Sequence, residues 1–147
     1  MGFLDSLAPM AHWALRIALA SVFLYHGFGK IPPDGFATGM GFPLFLAWLV
    51  MLAELGCGIL VLVGAFLRDW MTRLGALLGI IIMLGAIFLV HLPNGWNASE
   101  GGMEFQVVLL LVAVYLLIKG NRVNDPGTHF GSTATHPAHG SENVDTV

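Results

Sequence analysis

Charge is what this chain of 147 residues most lacks: only 10% of its positions are Asp, Glu, Lys or Arg, against about 25% in soluble domains. So little charge cannot cover a water-facing surface, and a mean hydropathy of +0.80 makes lipid the natural solvent. Cysteine is equally scarce. Cys57 stands alone, so neither an internal disulfide nor a CxxC dithiol can form, which removes thioredoxin-like chemistry unless a partner brings the second thiol. Basic runs are missing too. Six Lys and Arg against nine Asp and Glu leave a net charge of −3, which argues against a nucleic-acid partner. The N-terminus shows no basic n-region and no A-x-A cleavage site, so the first apolar segment is expected to act as its own insertion signal. GFGK, at 27–30, lacks the spacing and the following Ser/Thr of a phosphate loop.

What the chain has is long apolar runs. About 20 apolar residues cross a hydrocarbon core of about 30 Å, and four segments meet that length: residues 11–26, 43–66, 71–92 and 103–119. Pro43 suits the first position of the second helix, and Pro93 stops the third. The connections IPPDGFATGMG, LRDW and PNGWNASEGG are rich in turn-formers. The expected fold is all-α, a four-transmembrane-helix bundle over residues 1–121. Residues 122–147 are polar and without apolar period, and are expected to form a flexible cytoplasmic tail. Basic residues near the span ends set orientation. Arg68, Arg73, Lys119, Arg122 and Arg16 fall on one side and Lys30 on the other, which predicts that both termini are cytoplasmic. Arg16 is expected to snorkel to the inner interface.

The remaining polar side chains collect at the opposite end. His26, Lys30, His91, Asn94, Trp96, Glu100 and Glu104 all fall in the outer half or the outer loops. Glu54 lies about 16 Å of helix rise into the second span, near the midplane. Steps of three and four put His12, Arg16, Leu19, Phe23, His26 and Lys30 on one helix face, and Ala47, Met51, Glu54, Gly58, Val61 and Ala65 on another. The same rule applied to the fourth span gives Glu104, Val108, Leu111, Tyr115, Ile118 and Arg122 as its inward face. GALLG, at 75–79, fits a small-residue packing pattern, read as packing within the bundle, and the sequence leaves open whether the chain forms an oligomer. Each polar residue also has a structural reading: Glu54 as an internal ion pair or a hydrogen-bonded neutral acid, His26, Lys30 and His91 as interfacial anchors. Their joint position argues for a site. His129, His136 and His139 could bind a metal, but their spacing is a weak signal and a plain polar tail is the stronger reading.

FLYHGFGK (23–30), LAELGCGILVLVGAFLR (52–68), AIFLVHLPNGW (86–96) and GGMEFQVVLLL (101–111) occur in this order. Together they resemble the DoxX family of small bacterial and archaeal membrane proteins. The resemblance implies a multi-pass protein of the bacterial inner membrane with a role near redox chemistry, quinone-linked or connected with oxidative stress. It places His26, Gly27, Gly29, Lys30, Glu54, Gly58, His91, Asn94, Gly95 and Glu104 at the family's recurring positions. Three readings follow. In the first, the chain is a quinone-linked redox subunit in contact with membrane lipid and a redox protein partner. Glu54, His91 and His26 are then its candidate catalytic residues, and Lys30, Asn94, Trp96 and Glu104 join them in binding the cofactor. In the second, it is a haem- or metal-binding membrane protein using His26 and His91. In the third, it is a non-enzymatic scaffold whose polar cluster fixes the bundle.

Overall fold

The computed structural model describes residues 2–124. Every regular element among them is helical. Helix α1 (Gly2–Leu7) passes through a 3-10 turn containing Pro9 (Ala8–Met10) into α2 (Ala11–Phe28). Then come a short α3 (Asp34–Met40), α4 (Leu44–Gly64), α5 (Asp69–Ala86) and α6 (Glu104–Lys119). Four stretches are long and apolar enough to cross a bilayer: Gly2–Phe28, Leu44–Gly64, Asp69–Asn94 and Glu104–Arg122. The predicted tail lies beyond the described residues, apart from its first positions, and the three tail histidines lie there with it.

Two boundaries differ from the sequence reading, each for a local reason. The connection after α2 contains α3, where Ala37 is buried and its N–H bonds to Pro33 O at 2.9 Å. Gly41, with φ +67, turns the chain out of that helix, a conformation L-residues with a Cβ rarely adopt. The third span does not simply stop at Pro93. Proline has no N–H to continue the ladder, and the helix first widens into a π turn (Ile87–His91) in which Leu92 N–H reaches back five residues to Ile87 O.

Apolar burial does not drive helices together in lipid, so close packing of small residues and hydrogen bonds must. Both are present. A Cβ on Gly58 would lie 2.6 Å from Leu24 Cγ, and one on Gly27 would lie 2.8 Å from Leu55 Cδ2, so α2 and α4 meet backbone to side chain. A Cβ on Gly75 would fall 2.9 Å from Leu60 Cβ, and one on Gly79 would fall 2.9 Å from Cys57 Sγ. GALLG is therefore internal packing of α5 on α4. The resulting core contains Leu19, Phe23, Cys57, Val61, Ala76, Met83, Leu109, Ala113 and Leu116.

At the end of the bundle that carries the start of α2 and the close of α6, called here the terminal end, the hydrogen bonds concentrate on Arg16. This side chain is fully buried. It donates to His12 Nδ1 (3.1 Å), Val61 O (2.7 Å), Thr72 Oγ1 (2.9 Å), Gly120 O (3.2 Å) and Asn121 Oδ1 (3.0 Å). Asn121 in turn donates through Nδ2 to Gly64 O at 2.8 Å and through its backbone N–H to Asp69 Oδ1 at 2.6 Å. The expectation that Arg16 snorkels is thus corrected. Acceptors from every spanning segment surround it, and a planar five-donor guanidinium suits such a cage better than a trip to the interface.

Candidate functional site

The opposite end, bearing the α2–α4 and α5–α6 connections, is called the loop end. There α2, α4, α5 and α6 enclose a cavity of about 400 Å³. Its walls are mainly apolar: Val22, Leu46, Val50, Ile82, Leu109 and others. His26, Lys30, Glu54, His91 and Gln106 are the polar side chains in the lining. Phe36, Met40 and Phe42, from α3 and the turn after it, complete it.

The inward stripes of α2 and α4 bring Lys30 and Glu54 together. Lys30 Nζ lies 2.9 Å from Glu54 Oε1 and 2.7 Å from Oε2, with its third donor on His26 O at 3.3 Å. The ammonium also sits 4.8 Å from the centre of the Phe36 ring, a cation–π distance. Both side chains are largely buried, at 13% and 8% exposure. His26, by contrast, is exposed at the cavity edge. It touches Tyr25 ring to ring and lines a second, shallower depression with Tyr25, Phe28 and Gly29.

His91 is held at both ring nitrogens. Nδ1 is 2.7 Å from Gly101 O, and Nε2 is 3.0 Å from Gln106 Nε2. Gly101 O can only accept, so Nδ1 carries the proton and Nε2 accepts from the Gln106 amide. The π turn that ends the third span supplies this His91, facing α6. Gln106 Oε1 is buried and has no partner among the described residues. Such an acceptor costs about 1–3 kcal/mol and marks a place where a donor belongs.

The other predicted site residues stand outside the cavity wall. Asn94 Nδ2 donates to Gly101 O at 3.2 Å, the same carbonyl that His91 uses. Glu104 Oε2 accepts from Ala98 N at 3.2 Å. Trp96 is more than half exposed, and its carbonyl accepts from Glu104 N at 3.0 Å. These three residues shape the loop between α5 and α6. The reason lies in α6, whose inward face is Gln106, Leu109, Ala113 and Leu116. The stripe through Val108, Leu111 and Ile118 that the sequence suggested is more than half exposed and faces outward. Glu104 marks that stripe only by its charge. As the first residue of α6 it turns back onto the loop and does not enter the bundle. Gln106 was missed although it carried a signal: it is the chain's single glutamine and lies inside an apolar span. Thr72 and Asn121, both in the Arg16 cage, were missed likewise.

Among the described residues, no three His, Cys, Asp or Glu side chains converge as a metal-binding set. A metal or haem iron at His91 would have to displace one of its two hydrogen bonds.

Four spanning helices, tied at one end and hollow at the other, define a polytopic membrane protein with a small amphipathic cavity. Comparison with known proteins makes the class specific. The chain belongs to the DoxX family, whose model matches residues 11–92. The match covers His26, Lys30, Glu54 and His91 and ends before Gln106. A relative from Bacillus subtilis (strain 168), named "Putative oxidoreductase CatD", is 31% identical over 112 residues, which is 74% of this chain and 78% of that protein. No solved structure matches the chain.

Proposed function

We propose that the chain is the membrane subunit of a quinone-linked redox system in the bacterial inner membrane, with the quinone ring held in the loop-end cavity. The observation that carries this reading is the cavity's composition: mainly apolar walls, with the polar side chains of His26, Lys30, Glu54, His91 and Gln106 set among them. Its volume of about 400 Å³ falls in the usual range for small-molecule sites. A ring with an isoprenoid tail and two polar oxygens matches that division. The name of the Bacillus subtilis relative, an oxidoreductase, agrees in class.

In this reading His26 and Gln106 take the two ring oxygens, the unpartnered Gln106 Oε1 accepting from a hydroxyl of the reduced ring, since Lys30 and His91 are already committed. When bound, the quinone supplies two-electron, two-proton chemistry. Imidazole is suited to moving such protons near neutral pH, and His26 sits where the cavity meets its surroundings. Glu54, held by Lys30, fixes the charge at the cavity floor. Cys57 is the chain's single thiol, so electrons come from a redox protein docked on the membrane domain.

A specific observation favours a second reading, a non-enzymatic scaffold for such a partner. Lys30 and Glu54 satisfy one another, and His91 is satisfied by Gly101 O and the Gln106 amide, as in a network that only specifies packing.

The test is purification in a mild detergent, followed by extraction and mass spectrometry of bound small molecules. The expected result is a co-purifying quinone. It should be lost in Gly85→Leu, because Gly85 lines the cavity and a Cβ there meets nothing within 4 Å, while the protein stays monodisperse. If no quinone co-purifies and an added short-chain quinone leaves tryptophan fluorescence unchanged, the reading is overturned and the scaffold gains.

A further inference from the structure

Between the cavity and the Arg16 cage lies a layer of almost wholly apolar inward side chains. On α4 the inward residues after Glu54 are Cys57, Gly58 and Val61, all buried. Leu19, Ala20 and Phe23 face them from α2, Ala76 and Gly79 from α5, and Ala113 and Leu116 from α6. From Glu54 to Val61 the helix rises about 10 Å. Over that distance the only polar hydrogen on an inward side chain is the Cys57 thiol, packed against the position where Gly79 would carry a Cβ. A charge crossing such a layer pays a desolvation cost of at least several kcal/mol. Immediately beyond stands Arg16, fully buried, whose guanidinium carries a positive charge. It repels a second positive charge, and its five hydrogen bonds pin α2, α4, α5 and the residues after α6 together.

We propose that the cavity exchanges protons and solutes with one face of the membrane only, the face bearing the α2–α4 and α5–α6 connections. The proton-tight layer and the Arg16 cage close the other face. Any proton taken up or released at the cavity therefore returns to the side it came from. Redox chemistry there moves no proton across the membrane, and the chain works as a one-sided site, not as a pump or a channel. The quinone gives this property its consequence, and in that respect the inference rests on the reading above. The closure itself rests on packing alone.

The experiment uses the full chain with Cys57→Ala, carrying Ala86→Cys or Val50→Cys in the cavity wall, in vesicles of known orientation. A charged, membrane-impermeant thiol reagent is added to one face at a time. In parallel, the Glu54 carboxyl band, assigned by difference from E54Q in otherwise unsubstituted protein, is followed by infrared spectroscopy after a pH step on either face. Labelling from the loop-end face with complete loss of labelling from the terminal face, and a carboxyl band that responds only to loop-end pH, is the expected result. Labelling from the terminal face, from both faces or from neither, or a carboxyl response to terminal-face pH, overturns the proposal. Two cysteine positions guard against one variant failing to fold, and the infrared arm needs neither. Because these readouts report access whatever occupies the cavity, absence of a quinone would leave this result standing, and two-sided access would leave the quinone reading standing.

Discussion

Lys30 on the loop after α2 and Glu54 within α4 meet at 2.7 Å and 2.9 Å through both carboxylate oxygens, and this pair closes the floor of the loop-end cavity. Each residue justifies the other's position. A carboxylate more than nine-tenths buried inside a spanning helix needs a counter-charge, and an ammonium with three donors needs acceptors. Removing one partner strands the other as an unpaired buried charge. E54Q and K30M are each expected to destabilise the protein by about 3–5 kcal/mol, and the double variant by much less than their sum. Thermal unfolding in detergent, analysed as a double-mutant cycle, measures this. Additive losses would mean that the pair contributes no coupling.

The Arg16 cage predicts a different pattern, because its partners are neutral acceptors. Losing the guanidinium leaves Val61 O, Gly120 O and Thr72 Oγ1 short of a donor, each at about 1–3 kcal/mol when buried, without simple additivity, while Asn121 Oδ1 keeps the Thr72 hydroxyl at 2.8 Å. R16K cannot rescue this, since a single ammonium cannot reach five acceptors spread around a plane. Both R16K and R16M are expected to lower the melting temperature and to expose the end of α6 to protease. Wild-type protease resistance in R16K would show that only the charge matters.

How legible this architecture was in the sequence depends on the helix. The stripes on α2 and α4 were readable because ionisable or small residues mark several of their inward turns, His12 and Arg16 on α2 and Ala47, Glu54 and Gly58 on α4, so chemistry and periodicity pointed the same way. On α6 they pointed apart. Glu104 drew the stripe to a face that is lipid-exposed, while the true face, Gln106, Leu109, Ala113 and Leu116, is nearly as apolar as its opposite. An all-apolar span has no amphipathic contrast to read, because lipid and core solvate the same side chains. Arg16 was placed on the right face with the wrong environment. Its cage is built largely from backbone carbonyls and from Asn121, beyond the last predicted span, and neither leaves a periodic signal.

Glycine spacing gives a prediction with an internal control. Gly75 and Gly85 sit on the same helix, ten residues apart, yet a Cβ on Gly75 would press within 3.1 Å of Leu60 Cβ, Val61 N and Cys57 O, while one on Gly85 meets nothing within 4 Å. Gly75→Ala is expected to force α4 and α5 apart and lower stability by about 1–3 kcal/mol, the usual cost of overpacking. Gly85→Ala is expected to be neutral or to stabilise by up to about 1 kcal/mol through helix propensity. Equal melting temperatures for the two variants would contradict the close helix approach at Gly75.

Gln106 offers the sharpest separation of folding from function. Replacing it by leucine removes the buried, unpartnered Oε1, which relieves a penalty, and also removes the donor to His91 Nε2, which creates one. Each contribution is about 1–3 kcal/mol, so they nearly cancel, and Q106L is expected to unfold within about 1 kcal/mol of the wild type. Ligand capture should respond differently. If the cavity holds an oxygenated ring, the amide is one of its polar contacts, and Q106L should bind a short-chain quinone more weakly by tryptophan-fluorescence titration. A second variant, Q106E, keeps the length of the side chain but cannot donate to His91 Nε2 once ionised. It is expected to disturb both stability and binding. The informative readout is weakened binding in Q106L at near-wild-type stability, since a purely architectural amide would leave ligand affinity unchanged. Unchanged binding in Q106L would place the ligand's polar end elsewhere, with His26 as the next residue to substitute.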